Sequence, residues 1–464
     1  MTMTPRLETS AAMVDLASAW PTSEQWIRVF TLQDHNTRVV VLGTLLLGIA
    51  AGVVGSFTLL RKRALMGDAL SHATLPGIGL AFVIAVGLGM GRSLFVLLIG
   101  AVVTGAIGVG TVLLLRQQTR LKEDAAMGIV LSVFFGAGVC MLTIVQQMGS
   151  GSAAGLEGFI YGKTASMVPQ DVWLIAIAGG LSIVACGLLF KELRLLCFDA
   201  GYAQAQGWPT LALDVTLMAF VTAVTVVGLQ AVGLILVIAL LIIPAAAARF
   251  WSDRMLPMTL LAGALGGVSG AIGAAVSALA PRLPSGAMIV LVAAAVFGVS
   301  MAFGPARGVV PRALRHRNLR RRVEQQHLLR AIYEWHERGG EGVAGGLPVF
   351  ELVKTRSWSQ SRLQRIVRRA ERDDLLDFDE TGLITLTDFG RDAARRVTRN
   401  HRLWEAYLIE HADVAPSHVD RDADAIEHVL DRDMIRRLES LIAPAEDLPS
   451  PHPIRTPATA GVVE

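Results

Sequence analysis

Asp68 and His72 are the first residues along the chain whose types and spacing could do chemistry. They stand in the stretch LRKRALMGDALSHA (60–73), four positions apart, so a helix would put both on one face. A carboxylate and an imidazole so placed can grip a divalent cation. The same pair could instead only hydrogen-bond to neighbouring helices, and spacing alone leaves both readings open. The surroundings favour an ion path. The pair lies a few positions inside a long apolar segment, where ionisable groups are costly and face a partner, an ion or water. Pro76 and Gly77 follow at once, and such residues interrupt helices where transporters line cavities.

A second set of ligand-type residues stands far downstream. His401 and Glu405 are again four apart, and Asp420, Asp424, Glu427 and His428 share one helical face. Oxygen and nitrogen donors of this kind suit manganese or ferrous iron better than ions that prefer thiolates. An acidic, solvated face with two incidental histidines would show the same pattern. Cys140, Cys186 and Cys197 lie in or beside apolar segments without paired spacing. They read as packing residues, not as a disulfide framework or a thiolate site. The segment EGFIYGKT (157–164) imitates a phosphate-binding loop, but Glu157 replaces its first glycine and no strand precedes it. No credible nucleotide-hydrolysing motif remains. The chain therefore reads as a non-enzyme that draws energy from a partner or an ion gradient.

The elements that must position these residues follow from composition. Of 464 residues, 53% are hydrophobic and 17% charged, with a net charge of +3, and the average hides two regimes. Residues 38–304 form an apolar, Gly/Ala-rich region with runs of about 20 apolar residues, roughly nine of them, the pair around Gln230 being the least clear-cut. This predicts an all-α multi-pass membrane protein with about eight to nine transmembrane helices. Basic clusters at Arg61–Arg63, Arg116–Lys122, Lys191–Arg194 and Arg249–Arg254 mark alternate connections and so the cytoplasmic side of a cell membrane. Residues 1–37 carry no basic-then-apolar leader pattern and read as a flexible leader or a short interfacial helix.

From 305 onward the chain is dense in charge. Residues 305–322 read as a basic juxtamembrane linker, worth on the order of 1 kcal/mol per basic residue near anionic lipid. Residues 323–388 give the order helix, helix, basic helix, hairpin. That is the order of a winged helix-turn-helix, with Arg362, Arg365, Arg368 and Arg369 on the basic helix as possible DNA contacts. Residues 389–454 hold the downstream ligand set, and 455–464 are a tail.

Two resemblances sharpen this reading. RKRALMGDALSHATLPGIGLAF (61–82), LEGFIYGKTASMVPQDV (156–172), LCFDAGYAQAQGW (196–208) and VGLQAVGLILVIALLIIPAAAARF (227–250) resemble the permease subunit of manganese/zinc/iron ABC importers. That resemblance implies a transit metal at Asp68 and His72, with manganese favoured and zinc or iron as alternatives. It also implies a segment docking into the ATPase around Phe198, Asp199, Ala203 and Gly207. The partners it implies are a separate ATP-binding cassette ATPase subunit, an extracytoplasmic metal-binding protein and a second permease copy or paralogue. IYEW (332–335), LITLTDFGRDAARRVTRNHRLWEAYL (383–408), DADAIEHVLDRDMIRRLE (422–439) and PSPHPI (449–454) resemble the diphtheria-toxin-repressor family of metal-dependent regulators. This implies a cytoplasmic winged-helix plus helical dimerisation domain, with regulatory metal ligands at His401, Glu405, Asp424, Glu427 and His428. His327 stands at a further ligand position, whereas Arg330 stands at the next and cannot bind a metal. DNA is a possible partner of this half.

Overall fold

The computed structural model describes residues 23–63, 65–88, 94–147, 164–279, 283–337, 346–355, 358–380, 382–411 and 432–441. Its internal contacts divide the chain into two units, Met1–Arg312 and Ala313–Glu464.

The first unit opens with a short helix α1 (Ser23–Phe30), where the sequence allowed an interfacial helix. There follow α2 (His35–Leu60), α3 (Met66–Gly87), α4 (Leu94–Gln118), α5 (Glu123–Gln147) and α6 (Pro169–Leu188). Two short helices, α7 (Phe190–Phe198) and α8 (Ala200–Ala205), lead into α9 (Thr210–Val232), α10 (Leu234–Ala248), α11 (Met255–Leu279) and α12 (Ser285–Phe303). Among the described residues eight helices, α2 to α6 together with α9, α11 and α12, are long and apolar enough to cross a membrane. The run near 231–248 becomes α10, with 15 residues. Its length of about 22 Å falls short of a hydrocarbon core of about 30 Å. Gly233 separates it from α9 at φ +89°, a left-handed backbone that glycine adopts without steric cost.

Packing puts α2 at the centre. In its apolar window 78% of the residues are buried, against 17% for α5 and for α12. The backbones of α2 and α11 touch directly. A Cβ added at Gly48 would lie 2.2 Å from the Gly266 carbonyl oxygen, and one at Gly266 would lie 2.2 Å from that of Gly48. Small residues permit such close helix approach, which replaces the hydrophobic drive that lipid cannot supply. The outer helices expose Phe95, Val133, Ile177, Leu181 and Leu188. Apolar surface on that scale is unsuited to water and suited to lipid.

The second unit begins in α13 (Val309–Glu337). Most of 305–322, which the sequence reading set apart as a basic linker, lies within this one helix. Pro311 stands in the first turn, where a missing N–H costs little. No glycine follows before the helix ends, and Arg, Leu, Ala, Gln and Glu are good helix formers. Strand β1 (Leu347–Pro348), α14 (Val349–Thr355), α15 (Gln360–Arg372), β2 (Leu376–Phe378), β3 (Leu383–Leu386), α16 (Asp388–His411) and α17 (Arg432–Leu441) follow among the described residues. The hairpin pairs Leu376 with Leu386 and Phe378 with Ile384. The sequence reading missed β1, which pairs antiparallel with β3 at the sheet edge; edges tolerate proline. Leu363, Ile366, Val367 and Ala370 of α15 are buried with Leu328, Leu329 and Ile332 of α13. Their spacing of three and four is the apolar stripe that holds the basic helix in place.

Candidate functional site

Asp68 lies in the first turn of α3, where the helix dipole favours a carboxylate. His72 follows one turn later, and its Nε2 faces Asp68 Oδ1 at 3.4 Å. The ring is pinned edge-to-face against Phe135 of α5, with centroids 4.9 Å apart. Nδ1 of His72 is buried and has no hydrogen-bond partner among the described residues. Buried polar atoms are normally matched; Nε2 is the nitrogen that faces the carboxylate, and the unmatched Nδ1 on the other side of the ring marks a separate place for a water or a cation. Pro76, inside α3, cannot donate to the His72 carbonyl, which loosens the helix at that turn. Among the described residues no third His, Cys, Asp or Glu joins the pair in a metal-sized cluster.

One turn before this pair stands a network that the sequence reading missed. Asp214, in the apolar run TLALDVTLMAF at the start of α9, is 3% exposed. Arg61 grips it with two bonds, Nε to Oδ1 at 3.1 Å and Nη2 to Oδ2 at 2.9 Å. Arg63 adds contacts at 3.1 and 3.3 Å, and Arg116 of α4 approaches to 3.6 Å. Arg61 also donates through Nη1 to the Leu196 carbonyl of α7 at 3.2 Å. One carboxylate thus ties together the α2–α3 corner, α4 and α9, and through Arg61 it reaches α7. A lone acidic residue in an apolar span was the available signal.

The segment 198–208 forms a compact corner. Asp199 caps α8, its Oδ1 accepting from the Tyr202 amide at 2.8 Å. Ala203 is buried, and Gly207 takes φ +82° to close the turn. Phe198 and Tyr202 are 65% and 53% exposed. The result is a rigid corner carrying two exposed aromatic rings beside the Asp214 network. Cys197, which packs beneath it, directs its thiol at the Phe57 carbonyl 3.7 Å away.

In the second unit His401 and Glu405 of α16 are each 2% exposed, with Nε2 of His401 3.2 Å from Glu405 Oε1. Arg330 of α13 is 1% exposed, and its Nη1 lies 2.5 Å from His401 Nδ1. Its Nε faces Glu334 at 3.2 Å. A guanidinium stays charged in proteins. A fixed positive charge therefore stands directly against the His401–Glu405 pair. His327 lies on the same helix, half-buried. Asp420, Asp424, Glu427 and His428 lie outside the described residues.

On the basic helix, Arg362 is bound to Glu324 of α13 at 2.7 Å. Arg369 is half-buried, whereas Arg365 and Arg368 are exposed. The structure thus separates the four sequence-predicted arginines into one already paired, one partly packed and two open to solvent.

Comparison with known proteins completes the description. The family model "ABC 3 transport family" matches residues 33–304, and "Iron dependent repressor, metal binding and dimerisation domain" matches residues 387–456. The chain is 39% identical over 391 residues to the manganese transport system membrane protein MntC of Bacillus subtilis (strain 168), covering 84% of this chain and 88% of that one. It is 44% identical over 294 residues to the zinc transport system membrane protein TroC of Treponema pallidum (strain Nichols), covering 63% and 96%. The solved structure of PsaBC from Streptococcus pneumoniae in complex with Fab aligns with a TM-score of 0.55 at 28% identity, covering 64% of this chain and all of that one.

Proposed function

Because the chain belongs to the ABC 3 transport family, we propose that it is the permease subunit of an ABC importer carrying a divalent transition metal, manganese before zinc or iron. The observation that carries this reading is the Asp68–His72 pair on one face of α3, Nε2 of the imidazole facing the carboxylate at 3.4 Å, inside the matched region. A carboxylate and an imidazole form a donor pair of borderline hardness, suited to manganese, ferrous iron or zinc. Asp68 and His72 are the protein's contribution to the transit site, and water or a second permease copy completes the coordination shell.

The hydrolysis of ATP belongs to a separate cassette subunit, which docks on the exposed Phe198 and Tyr202 of the α7–α8 corner. The Arg61 link from that corner to Asp214 gives docking a mechanical route to the α2–α3 corner and so to Asp68. An extracytoplasmic binding protein delivers the metal from the opposite face. The distribution of basic loops supports a cytoplasmic α7–α8 corner and a cytoplasmic second unit. Co-purification tests the partnership. The tagged chain should bring down the cognate ATPase, and Phe198→Ala/Tyr202→Ala should lose it; undiminished recovery with that variant would remove the corner from the docking surface.

The second unit is a cytoplasmic metal sensor that lowers uptake when internal metal rises. Asp424, Glu427 and His428 would hold the regulatory ion, supplying two carboxylates and an imidazole. Glu427→Ala/His428→Ala should leave basal uptake unchanged while uptake no longer falls in excess manganese. A normal response in that variant would end the sensor reading. A second reading, contact with DNA, is favoured by one observation: Arg365 and Arg368 are exposed on a helix with the winged-helix arrangement.

A further inference from the structure

We infer that Arg330 is a built-in cation that closes the His401–Glu405 pair to metal and cross-links α13 to α16 in its place. The proton on one imidazole decides this. A guanidinium carries only donors, so in its 2.5 Å contact with Arg330 Nη1 the Nδ1 of His401 must accept. The ring proton then sits on Nε2, which faces the Glu405 carboxylate at 3.2 Å. A metal ion needs a nitrogen lone pair. The Nδ1 lone pair is taken by Arg330. Freeing the Nε2 lone pair would move the proton to Nδ1, where it would oppose the N–H of Arg330, donor against donor. Arg330 therefore blocks both nitrogens, one by occupation and the other by fixing the tautomer.

Charge leads to the same conclusion. At 1% exposure Arg330 is among the most buried side chains of the unit, and a buried cation needs anionic company. It has Glu334 one turn along its own helix and, across His401, Glu405. A divalent ion entering here would meet a permanent positive charge within contact range, in a region where solvent screens little. A parallel bond strengthens the cross-link, since Arg402 of α16 pairs with Glu337 of α13. The α13–α16 junction thus holds without metal. Whatever metal response the second unit has comes from residues other than His401 and Glu405.

This goes beyond the sensor reading and can fail or stand without it. The test is manganese titration of the full chain purified in detergent, following bound ion by calorimetry and by the loss of the free-ion electron paramagnetic resonance signal. Three proteins are compared: wild type, His401→Gln and Arg330→Met. Glutamine retains an acceptor for Arg330 but is a poor metal ligand, so His401→Gln should bind the same number of ions as wild type, within about twofold in affinity. Arg330→Met removes the block and should gain one ion per chain, a gain abolished by adding His401→Gln. Loss of an ion, or a tenfold weaker affinity, in His401→Gln alone would overturn the proposal. So would identical binding by wild type and a folded Arg330→Met. If Arg330→Met does not fold, the His401→Gln comparison decides.

Discussion

Replacing Asp68 or His72 by alanine should reduce metal uptake to background while the chain still reaches the membrane in normal amount. The expectation rests on how little else the pair does. Asp68 keeps 29% of its side-chain surface accessible and His72 16%, so neither is a keystone of the core. His72 contributes one edge-to-face ring contact; Asp68 contributes favourable charge at a helix start, typically below about 1 kcal/mol. Stability should therefore fall little. Coordination is another matter. With no third ionisable ligand nearby among the described residues, losing one of two protein donors removes half of the proposed site. Altering even groups behind a metal ligand costs about 10–100-fold in affinity or activity, and removing the ligand itself costs more. Wild-type uptake in either variant would sink the transit-site assignment. Poor membrane insertion would mean that the pair is structural.

Asp214→Ala should be the most destabilising single substitution in the first unit. The carboxylate is shared by three guanidinium groups, of which Arg63 is 3% and Arg61 14% exposed in the side chain. Removing it strands like charges against each other in a buried place. Breaking a buried pair from one side costs about 3–5 kcal/mol, because the remaining charge keeps its desolvation penalty. The measurement is thermal unfolding in detergent, with expression in the membrane alongside. Asp214→Asn, which keeps an acceptor but no charge, should fall between wild type and alanine. The double change Asp214→Ala/Arg63→Met should recover part of the loss, since the two residues form one network and their effects are not additive. If Asp214→Ala is as stable as wild type, the cluster holds nothing together. If it is stable but no longer transports, its role is coupling between the α7–α8 corner and Asp68.

Much of this was legible in the residues. The apolar runs marked the long helices to within a few positions, because a membrane span has a length that chemistry fixes. The hairpin at Leu376–Leu386 followed from two short β-prone runs around a turn. The spacing of Asp68 and His72 put them on one helical face, as α3 has them, but left an ion site and a hydrogen-bonded pair equally open. What stayed hidden depended on contacts across long separations. Asp214 meets Arg61 at a separation of 153 residues, and no local pattern announces that meeting. Arg330 was visible as a residue unable to bind metal, but its contact with His401 needed the packing of α13 on α16. In the basic stretch before residue 323 the charge drew attention away from the secondary structure: its residues are good helix formers and extend α13. The short α10 shows the limit of reading hydropathy: the apolar run continues from α9 without a break in composition, and only the backbone at Gly233 shows that a separate helix of 15 residues starts there.

The central claim is ATP-driven import of a divalent metal through the first unit, and reconstitution tests it most directly. Proteoliposomes holding this chain with its cognate ATPase and binding protein would be given radiolabelled manganese, with ATP on the side of the ATPase. The account predicts accumulation that requires ATP, is competed by unlabelled manganese and vanishes in Asp68→Ala. A complex that hydrolyses ATP without moving manganese, zinc or iron would contradict it, as would uptake driven by an ion gradient with the ATPase left out.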